Sequence, residues 1–378
     1  MSSKAFIIRA IAFHTLVLPA CSKTPDPVIT IPFISGPIHE MEVSSLLENA
    51  AVYPLATTSE CMIGRTFFFL DCIDDYYILD KSAEKVFRFG QQGEFLNTIG
   101  KMGKGPGEYV RLNEGIITGS QIELLTGFPQ TELCCYSHDG TFLSKKSILE
   151  FPTWSFILSP GLGKYFFYGS FFEHKITSVD RQTGEKADSM LKNTEGAQAF
   201  SMLTFSSSGK SSVLFCEPII SKVYEITSTG IQEKYRLDFG KYSIGADPFP
   251  EELHKRSEDP GLWVAVKVLE NKSFVYLYTG KDLLKSEVLF QHYLFRKEDR
   301  TLWTLPDEPS FSGSLGPAFH LTDKDELYLY LTPSEAVQSK SWQRFFQDRK
   351  LILGAGDNPV IVKLDIEKII AFATDEKR

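Results

Sequence analysis

Short runs of apolar, β-branched and aromatic residues, separated by turn residues, recur along most of the chain. In the clearest series we predict three strands, Tyr76–Asp80, Lys85–Phe89 and Phe95–Ile99, joined by two tight turns. Strands that follow one another this closely pair antiparallel, because a parallel pair needs a long crossover connection. The pattern therefore predicts an antiparallel meander rather than alternating strands and helices.

One turn of this meander recurs along the chain. Gly93, Gly140, Gly184 and Gly230 occupy equivalent positions in four similar segments, at spacings of 47, 44 and 46 residues. A glycine at a hairpin turn is expected where the backbone needs a positive φ. A repeat of this length that carries about four strands is typical of β-propeller blades.

The remaining strands complete a ring. A fifth blade is predicted from Trp263–Leu269, Phe274–Thr279, Val288–Arg296 and Thr301–Leu305. A sixth blade receives Ala318–Thr322, Leu327–Leu331 and Val360–Leu364. It lacks a fourth strand, which Ala51–Leu55 can supply from the N-terminal side, and this closure removes the open sheet edges. We thus predict an all-β fold over residues 50–370, a six-bladed propeller of four-stranded antiparallel blades.

Two segments interrupt this pattern. Residues 241–262 are rich in Pro, Glu and Asp and are predicted to form an insertion between blades. Residues 334–348 have a helical composition and are predicted to form a helical excursion within the sixth blade.

The N-terminal residues indicate export. Lys4 and Arg9 precede a short apolar stretch that ends in Leu-Pro-Ala-Cys at Cys21, an arrangement that is similar to the lipobox of bacterial lipoproteins. We predict a lipoprotein signal peptide over residues 1–21 and lipid attachment at Cys21. An ordinary cleaved signal peptide is the alternative. Residues 22–49 are predicted to be a polar, proline-containing tether.

Composition and charge narrow the possible partners. The 378 residues include 13% aromatic residues, which favour strands, and carry a formal net charge of −8. A nucleic-acid-binding protein is expected to show a basic surface, and the sequence has no cluster of Lys and Arg that would provide one. Nucleic acid is therefore excluded as a partner, whereas a membrane, reached through the N-terminal lipid, is predicted as one.

Most of residues 50–370 carry a family resemblance, which is strongest over residues 52–113 and weak beyond Gly230. Tyr76–Gly100 resembles an NHL-type repeat, and the following run from Lys101 to Tyr109, KMGKGPGEY, resembles a motif of the six-bladed β-propeller lipoproteins of Bacteroides-type gut bacteria. The stretch Tyr53–Gly64 is similar to the N-terminal segment of that family. The resemblance implies a propeller fold and a location in the cell envelope, at the outer membrane. It implies no activity.

The glycine-rich run invites comparison with phosphate-binding loops. A P-loop needs a strand, the pattern GxxxxGK[ST] and a following helix, and here the run lies between antiparallel strands with no helix predicted. We therefore predict that its glycines shape the crossing between blades. Glu108, Tyr109 and Arg111 are candidates for a ligand surface, because functional residues collect on the loops of rigid scaffolds. The alternative is that Tyr109 packs and Glu108 pairs with a neighbouring base.

Acidic clusters and histidines suggest no cofactor. Asp71, Asp74 and Asp75 precede one strand, and Asp323 and Asp325 precede another, but neither cluster has the spacing of a calcium loop. We interpret these residues as turn residues. No nucleophile elbow or HExxH helix is present, so no catalytic residue, metal or cofactor is predicted.

Two functional hypotheses follow. The first is a non-catalytic binding or scaffolding propeller in the envelope, with a glycan, a peptide or a protein as its partner. The second is an envelope glycan hydrolase or lyase with its site in the propeller funnel, where carboxyl groups from different blades would converge. Convergent Asp, Glu, His or Arg side chains at the funnel would favour the enzyme. A funnel filled by apolar side chains, or one lined by unpaired Lys and Ser, would weaken the enzyme hypothesis.

Overall fold

Six β-sheets, which succeed one another along the chain, form the body of the protein. In the computed structural model, the residues that can be described are 27–71, 74–119, 121–169, 173–193, 204–217, 220–243, 262–281, 288–306 and 309–375. The predicted signal peptide, Cys21 and most of the predicted insertion at 241–262 lie outside these residues.

The N-terminal part contains β1 (Ile29–Pro32), β2 (Ile38–Glu40), helix α1 (Val43–Glu48) and β3 (Ala50–Pro54). Blade 1 contains β4 (Phe67–Phe69), β5 (Tyr76–Asp80), β6 (Lys85–Phe89) and β7 (Phe95–Ile99). Blade 2 contains β8 (Leu112–Thr118), β9 (Gln121–Thr126), β10 (Thr131–Ser137) and β11 (Phe142–Leu149). Blade 3 contains β12 (Ser155–Ser159), β13 (Lys164–Tyr168), β14 (His174–Asp180) and β15 (Lys186–Lys192).

Blade 4 contains β16 (Phe205–Ser207), β17 (Val213–Cys216), β18 (Lys222–Thr227) and β19 (Gly230–Asp238), followed by a 3-10 turn, Gly240–Tyr242. Blade 5 contains β20 (Trp263–Glu270), β21 (Phe274–Lys281), β22 (Leu289–Arg296) and β23 (Leu302–Thr304), followed by helix α2 (Pro309–Ser312). Blade 6 contains β24 (His320–Leu321), β25 (Glu326–Leu331), helices α3 (Pro333–Ala336) and α4 (Lys340–Asp348), β26 (Val360–Asp365) and helix α5 (Ile366–Asp375).

The blades are arranged as a propeller. Within each blade, consecutive strands pair antiparallel, and the first strands of neighbouring blades contact one another around the centre of the ring. β3 pairs antiparallel with β26 as the fourth strand of blade 6, with Pro54 opposite Val360. The predicted six-bladed fold and its closure by an N-terminal strand are both confirmed.

The repeated turn glycines adopt the backbone conformation that was expected. The φ angles of Gly93, Gly140, Gly184 and Gly230 are +88°, +88°, +76° and +123°. At Gly140 space is also limiting, since a Cβ atom there would lie 2.8 Å from the carbonyl oxygen of Thr98 in the last strand of blade 1. This turn therefore needs glycine both for its conformation and for close contact between blades.

The predicted tether over residues 22–49 is wrong for its described part. β1 pairs parallel with β19 along the outer edge of blade 4, and β2 pairs parallel with β23 along that of blade 5. Ile31 and Phe33 are buried in the core between these two blades. Parallel pairing satisfies edges that would otherwise expose unpaired backbone groups, and Pro32 is tolerated because it lies on an outermost strand. The segment is thus a strap around the ring.

The hydrophobic core is divided among the interfaces between blades. In the described part of the chain, six main clusters of buried side chains each lie between two neighbouring blades. Aromatic residues fill them, for example Phe156 stacked on Phe167 in the core between blades 2 and 3. These large rings supply much of the apolar area that holds the blades together.

The helices lie at the periphery of the largest core, between blades 5 and 6. The predicted excursion at 334–348 consists of α3 and α4, and Trp342 of α4 is fully buried against Phe311 with its ring stacked at 4.9 Å. Ser45 of α1 donates a hydrogen bond to the carbonyl oxygen of Ile369 in α5. Within the described residues, no helix combines the length and apolar character that crossing a membrane requires.

Candidate functional site

A cavity of about 390 Å³ lies at the centre of the ring. The first strands of blades 1 to 5 provide most of its wall, together with residues just beyond their carboxyl ends such as Asp71, Gly119 and Pro160. Most of the lining is apolar: Phe68, Leu70, Ile116, Phe156, Ile157, Leu158, Phe205 and Leu269 contribute to it. The polar lining is a small set from five blades: Asp71, Asn113, Glu114, Thr118, Arg181, Ser206, Ser207 and Lys267.

Two β-bulges place polar side chains in this cavity. In β20, Ala265 pairs with Thr279 and Lys267 pairs with Tyr278, so that Val266 is an extra residue. Because Thr279 and Tyr278 are adjacent, the bulge turns Ala265 and Lys267 to opposite faces of the strand. Ala265 packs in the core between blades 4 and 5, whereas Lys267 lines the cavity.

The second bulge lies in β8. Leu112 pairs with Thr126 and Glu114 pairs with Leu125, which leaves Asn113 as the extra residue. Asn113 and Glu114 both line the cavity. Bulges are frequent beside functional sites because they redirect a side chain without interrupting the sheet.

Lys267 is a buried cation with no ion pair. Its relative exposure is 6%, and among the described residues its ammonium group has neither a hydrogen bond nor a carboxylate within 4.0 Å. Burial lowers the pKa of Lys267 below its usual value, and the charges of Asp71 and Glu114 oppose this shift. Both carboxylates thus act on Lys267 from beyond contact distance. Buried lysines are rare unless they are paired, so this group stands out.

The two carboxylates of the cavity each have a protein partner. Asp71 is hydrogen-bonded to the imidazole Nδ1 of His320, which belongs to the first strand of blade 6. The backbone N–H of Phe156 donates to Glu114 at 2.6 Å and thereby joins the first strands of blades 2 and 3. Asn113 donates to the carbonyl oxygen of Thr153 at 3.3 Å, while its Oδ1 is buried and has no partner within the described residues.

Exposure distinguishes the mouth of the cavity from its floor. The side chain of Asp71 is 45% exposed and that of Arg181 is 41% exposed. Lys267 at 6% and Asn113 at 3% lie deep. A ligand that enters past Asp71 and Arg181 would therefore meet the ammonium group of Lys267 at the inner end.

Arg181 is held by a buried carboxylate next to the cavity. Glu123 is fully buried and accepts hydrogen bonds from Thr118 and Gln121 at 2.9 Å and from Tyr165 at 2.5 Å. The guanidinium group of Arg181 donates to the same carboxylate at 3.2 Å. Burial, followed by the hydrogen bond to Glu123, raises the pKa of Tyr165, which keeps the phenol protonated as a donor. This network fixes one wall of the mouth.

A second buried carboxylate lies on the same strand as Lys267 but serves a different purpose. Glu270 forms ion pairs with Lys297 and, at 2.9 Å, with Lys234, and it accepts hydrogen bonds from Tyr235 at 2.7 Å and Ser208 at 3.1 Å. Burial alone would raise the pKa of Glu270, but the two lysines outweigh burial and lower it. We call these five residues the Glu270 cluster. It joins blades 4 and 5.

The residues that were predicted as a ligand surface lie apart from the cavity, in the connection between blades 1 and 2. Tyr109 is fully buried, donates to the carbonyl oxygen of Glu84 at 2.9 Å and lies beneath Gly100. Its ring therefore packs and offers no surface. Glu108 accepts from the N–H of Gly105 at 2.8 Å and pairs with Lys101 at 3.1 Å.

Arg111 is exposed at the start of blade 2. Its guanidinium lies over the rings of Phe128, at 5.8 Å, and Trp154, at 5.2 Å. A ligand role for Glu108 and Arg111 stays a prediction. Sequence reasoning missed Lys267, Asn113 and Glu114, and it treated Asp71 as a turn residue only. The signal that could have identified Lys267 is its position within the mostly apolar strand Trp263–Glu270.

Metal binding has no support in the described residues, where no three His, Cys, Asp or Glu side chains converge to hold an ion. Asp323 and Asp325 lie in the turn before β25. There the backbone of Asp325 has a positive φ of 61°, and its carboxylate accepts a hydrogen bond from Asn271 at 2.7 Å. These contacts are those of a turn that joins blades 5 and 6.

Two of the solved structures with a similar fold come from Bacteroides. One is a protein of Bacteroides fragilis that is described as exported. It matches with a TM-score of 0.69 at 15% identity, over 89% of this chain and 99% of that one. A member of the DUF4221 family from Bacteroides vulgatus matches with a TM-score of 0.52 at 11% identity, over 83% and 95% of the two chains. At these identities the likeness concerns the fold alone. No curated protein is significantly similar in sequence.

The family model matches almost the whole of the described propeller, from residue 28 to residue 365, and it includes the strap, all six blades and the cavity. The chain belongs to the family described as a domain of unknown function, DUF4934.

Proposed function

We propose that the protein is a non-catalytic binding propeller of the cell envelope that holds a small ligand in its central cavity. One observation carries the proposal: Lys267 lines this cavity, is 94% buried and has no ion pair among the described residues. A buried ammonium group without a partner costs stability, and such a cost is tolerated where function needs the group. The cavity volume of about 390 Å³ lies within the usual range of small-ligand sites.

A stabilisation screen tests this proposal. Residues 22–378, which contain every described residue, are screened against envelope-derived small molecules for a rise in melting temperature. The Lys267→Met variant keeps the length of the side chain and removes the charge. Lys272→Met is the matched control, because Lys272 is exposed in the turn that follows the same strand. A ligand of this site should stabilise the natural protein and the control but not Lys267→Met.

Equal responses of both variants to every hit would place binding elsewhere and contradict the proposal. A complete lack of hits would also count against it.

The proposed location rests on the N-terminal sequence. In the proposal, residues 1–20 are removed and Cys21 becomes the lipid-modified N-terminus, which holds the propeller at the membrane surface. Expression of the natural chain and of Cys21→Ser, followed by fractionation, tests the anchor. The natural protein should sediment with membranes and the variant should be released. Unchanged membrane association of Cys21→Ser would contradict the lipid anchor.

A glycan hydrolase or lyase is the second candidate, because two carboxylates, Asp71 and Glu114, line the same cavity. Such an enzyme would release reducing ends from an envelope glycan, and the Asp71→Asn and Glu114→Gln variants would both abolish the release. The convergence of Asp71, Glu114 and Arg181 on one cavity is the arrangement expected of such an enzyme. We favour binding because the least exposed charged group of the cavity is Lys267, a cation with no carboxylate within ion-pair distance among the described residues.

A further inference from the structure

We propose that the ligand of the central cavity is an acidic sugar, whose carboxylate meets Lys267 and whose hydroxyl groups meet Asp71 and Glu114. This inference rests on the proposed function, since it names the class of ligand for the same site. It is argued from the polar groups of the cavity, from its apolar wall and from its size.

The ammonium group of Lys267 needs one negative charge. It is the deepest charged group of the cavity, and among the described residues it has no carboxylate within ion-pair distance. A carboxylate on a ligand would form a charge-assisted hydrogen bond there, which is about twice as strong as a neutral one. A cationic ligand, in contrast, would bring a second positive charge to Lys267.

The two carboxylates of the cavity can accept hydrogen bonds from a ligand in addition to their protein partners. Carboxylates accept only, and each can accept several bonds, so hydroxyl groups can join the partners that Asp71 and Glu114 already have. A doubly charged anion such as sulfate or phosphate would bring more negative charge than the single ammonium group of Lys267 can neutralise, and it would supply few donors. A sugar that carries one carboxylate matches the one positive charge and supplies hydroxyl donors.

The apolar wall suits the carbon skeleton of a sugar. Phe68, Ile116 and Leu269 come from three different blades and line the cavity. Phe156 and Phe205 also line it, but their rings pack in the cores between blades. Apolar side chains pack against the C–H faces of a pyranose, while the ring substituents of the sugar remain available for polar contacts. A volume of about 390 Å³ is near the lower end for ligand sites, which favours one or two sugar rings over a long chain.

Matched pairs of ligands test this inference by isothermal titration calorimetry. Glucuronate and galacturonate each differ from the neutral parents, glucose and galactose, only by the carboxylate. Cyclohexanecarboxylate has the carboxylate and the ring but lacks the hydroxyl groups. At least one uronate should bind residues 22–378 about tenfold or more tightly than both its neutral parent and cyclohexanecarboxylate. In Lys267→Met the uronate should lose its advantage over the parent sugar, whereas Lys272→Met should keep it.

Three results would overturn the inference: equal binding of uronate and parent sugar, equal binding of uronate and cyclohexanecarboxylate, or a uronate advantage that persists in Lys267→Met. Failure of both uronates to bind would also overturn it. In that case a different hit from the stabilisation screen that depends on Lys267 would leave the proposed function standing. If no hit depends on Lys267, both the proposed function and the proposed ligand class are contradicted.

Discussion

Two buried polar groups on a single strand, β20, show how differently a propeller can treat a charge. Glu270 near the end of the strand is surrounded by Lys234, Lys297, Tyr235 and Ser208, and its oxygens are occupied. Lys267, three residues earlier, has no such partner among the described residues. The side chain of Glu270 is also largely enclosed, with 6% of it exposed, so burial alone does not identify a site. The presence or absence of partners does.

The difference follows from where each side chain points. Glu270 lies at an interface between blades, where neighbouring strands supply counter-charges and donors. Lys267 is directed by a bulge into the central cavity, where the nearest carboxylates remain beyond contact distance. At an interface between blades, protein groups pair with a buried charge, whereas in the cavity we propose that a ligand group pairs with it. The following predictions test this contrast, from the largest expected effect to the smallest.

Replacement of the central carboxylate of the Glu270 cluster should have the largest effect. Glu270→Leu removes the carboxylate shared by the half-buried Lys234 and Lys297, of which Lys234 keeps its ion pair with Glu225 at 2.8 Å. We expect the free energy of unfolding to fall by about 3 kcal/mol, the lower end of the range for a broken buried ion pair. Urea denaturation measures this loss. Glu185→Gln, in an exposed turn, is the control and should change stability by less than about 0.5 kcal/mol. A loss no larger than that of the control would mean that the cluster is not structural.

Replacement of Lys267 should change the free energy of unfolding in the opposite direction. Lys267→Met removes a buried charge without a partner and should raise the free energy of unfolding by about 1–3 kcal/mol at neutral pH. Lys272→Met, on the exposed turn, should leave it nearly unchanged. The same denaturation experiment measures both. If Lys267→Met is destabilised, the ammonium group makes stabilising contacts and the contrast with Glu270 fails.

This gain should depend on pH in a defined direction. Burial lowers the pKa of Lys267 in the folded state below 10.5, its ordinary value. At a pH below the lowered pKa, Lys267 is protonated in both the folded and the unfolded state, and the folded state carries the full cost of burying the charge. As the pH rises from the lowered pKa towards 10.5, the folded state releases the proton while the unfolded state keeps it, so the natural protein gains stability. The difference between Lys267→Met and the natural protein should therefore shrink. A difference that is constant up to pH 10.5 would contradict this account.

The smallest effect concerns a single hydrogen bond of the Glu270 cluster. Tyr235→Phe removes the hydroxyl group that donates to Glu270 at 2.7 Å, while both lysines stay in place. The free energy of unfolding should fall by about 0.5–1.5 kcal/mol. A loss as large as that of Glu270→Leu would show that the hydroxyl group, rather than the ion pairs, holds the cluster together.

Much of the fold was accessible to sequence reasoning because its determinants are local. The strands Tyr76–Asp80, Lys85–Phe89 and Phe95–Ile99 end where the pattern of apolar residues and turns placed them. Gly93 and Gly140 have the positive φ that their turns predicted. The strap formed by residues 29–40 was missed, because its prolines indicated a tether and its strands are stabilised only by pairing with blades more than 200 residues away.

Most of the candidate site could not be predicted from the sequence, because it also depends on contacts between segments that are far apart along the chain. Lys267, Asn113, Glu114 and Asp71 come from three blades, and only the closure of the ring brings them to one cavity. The bulges that direct Lys267 and Asn113 depend on the register of strand pairing, which the sequence does not display. The motif around Glu108 was prominent in the sequence because it shapes a local turn, and Tyr109 proves to be part of the packing.

The central claim is that Lys267 lacks a protein partner because its partner is a ligand. A crystal structure of residues 22–378 grown with the tightest-binding uronate tests this most directly. The account predicts that the sugar carboxylate lies about 3 Å from the Nζ atom of Lys267, with hydroxyl groups directed at Asp71 and Glu114. A structure in which the Nζ atom pairs with Asp71 or Glu114, and the uronate is absent from the cavity or bound elsewhere, would contradict it.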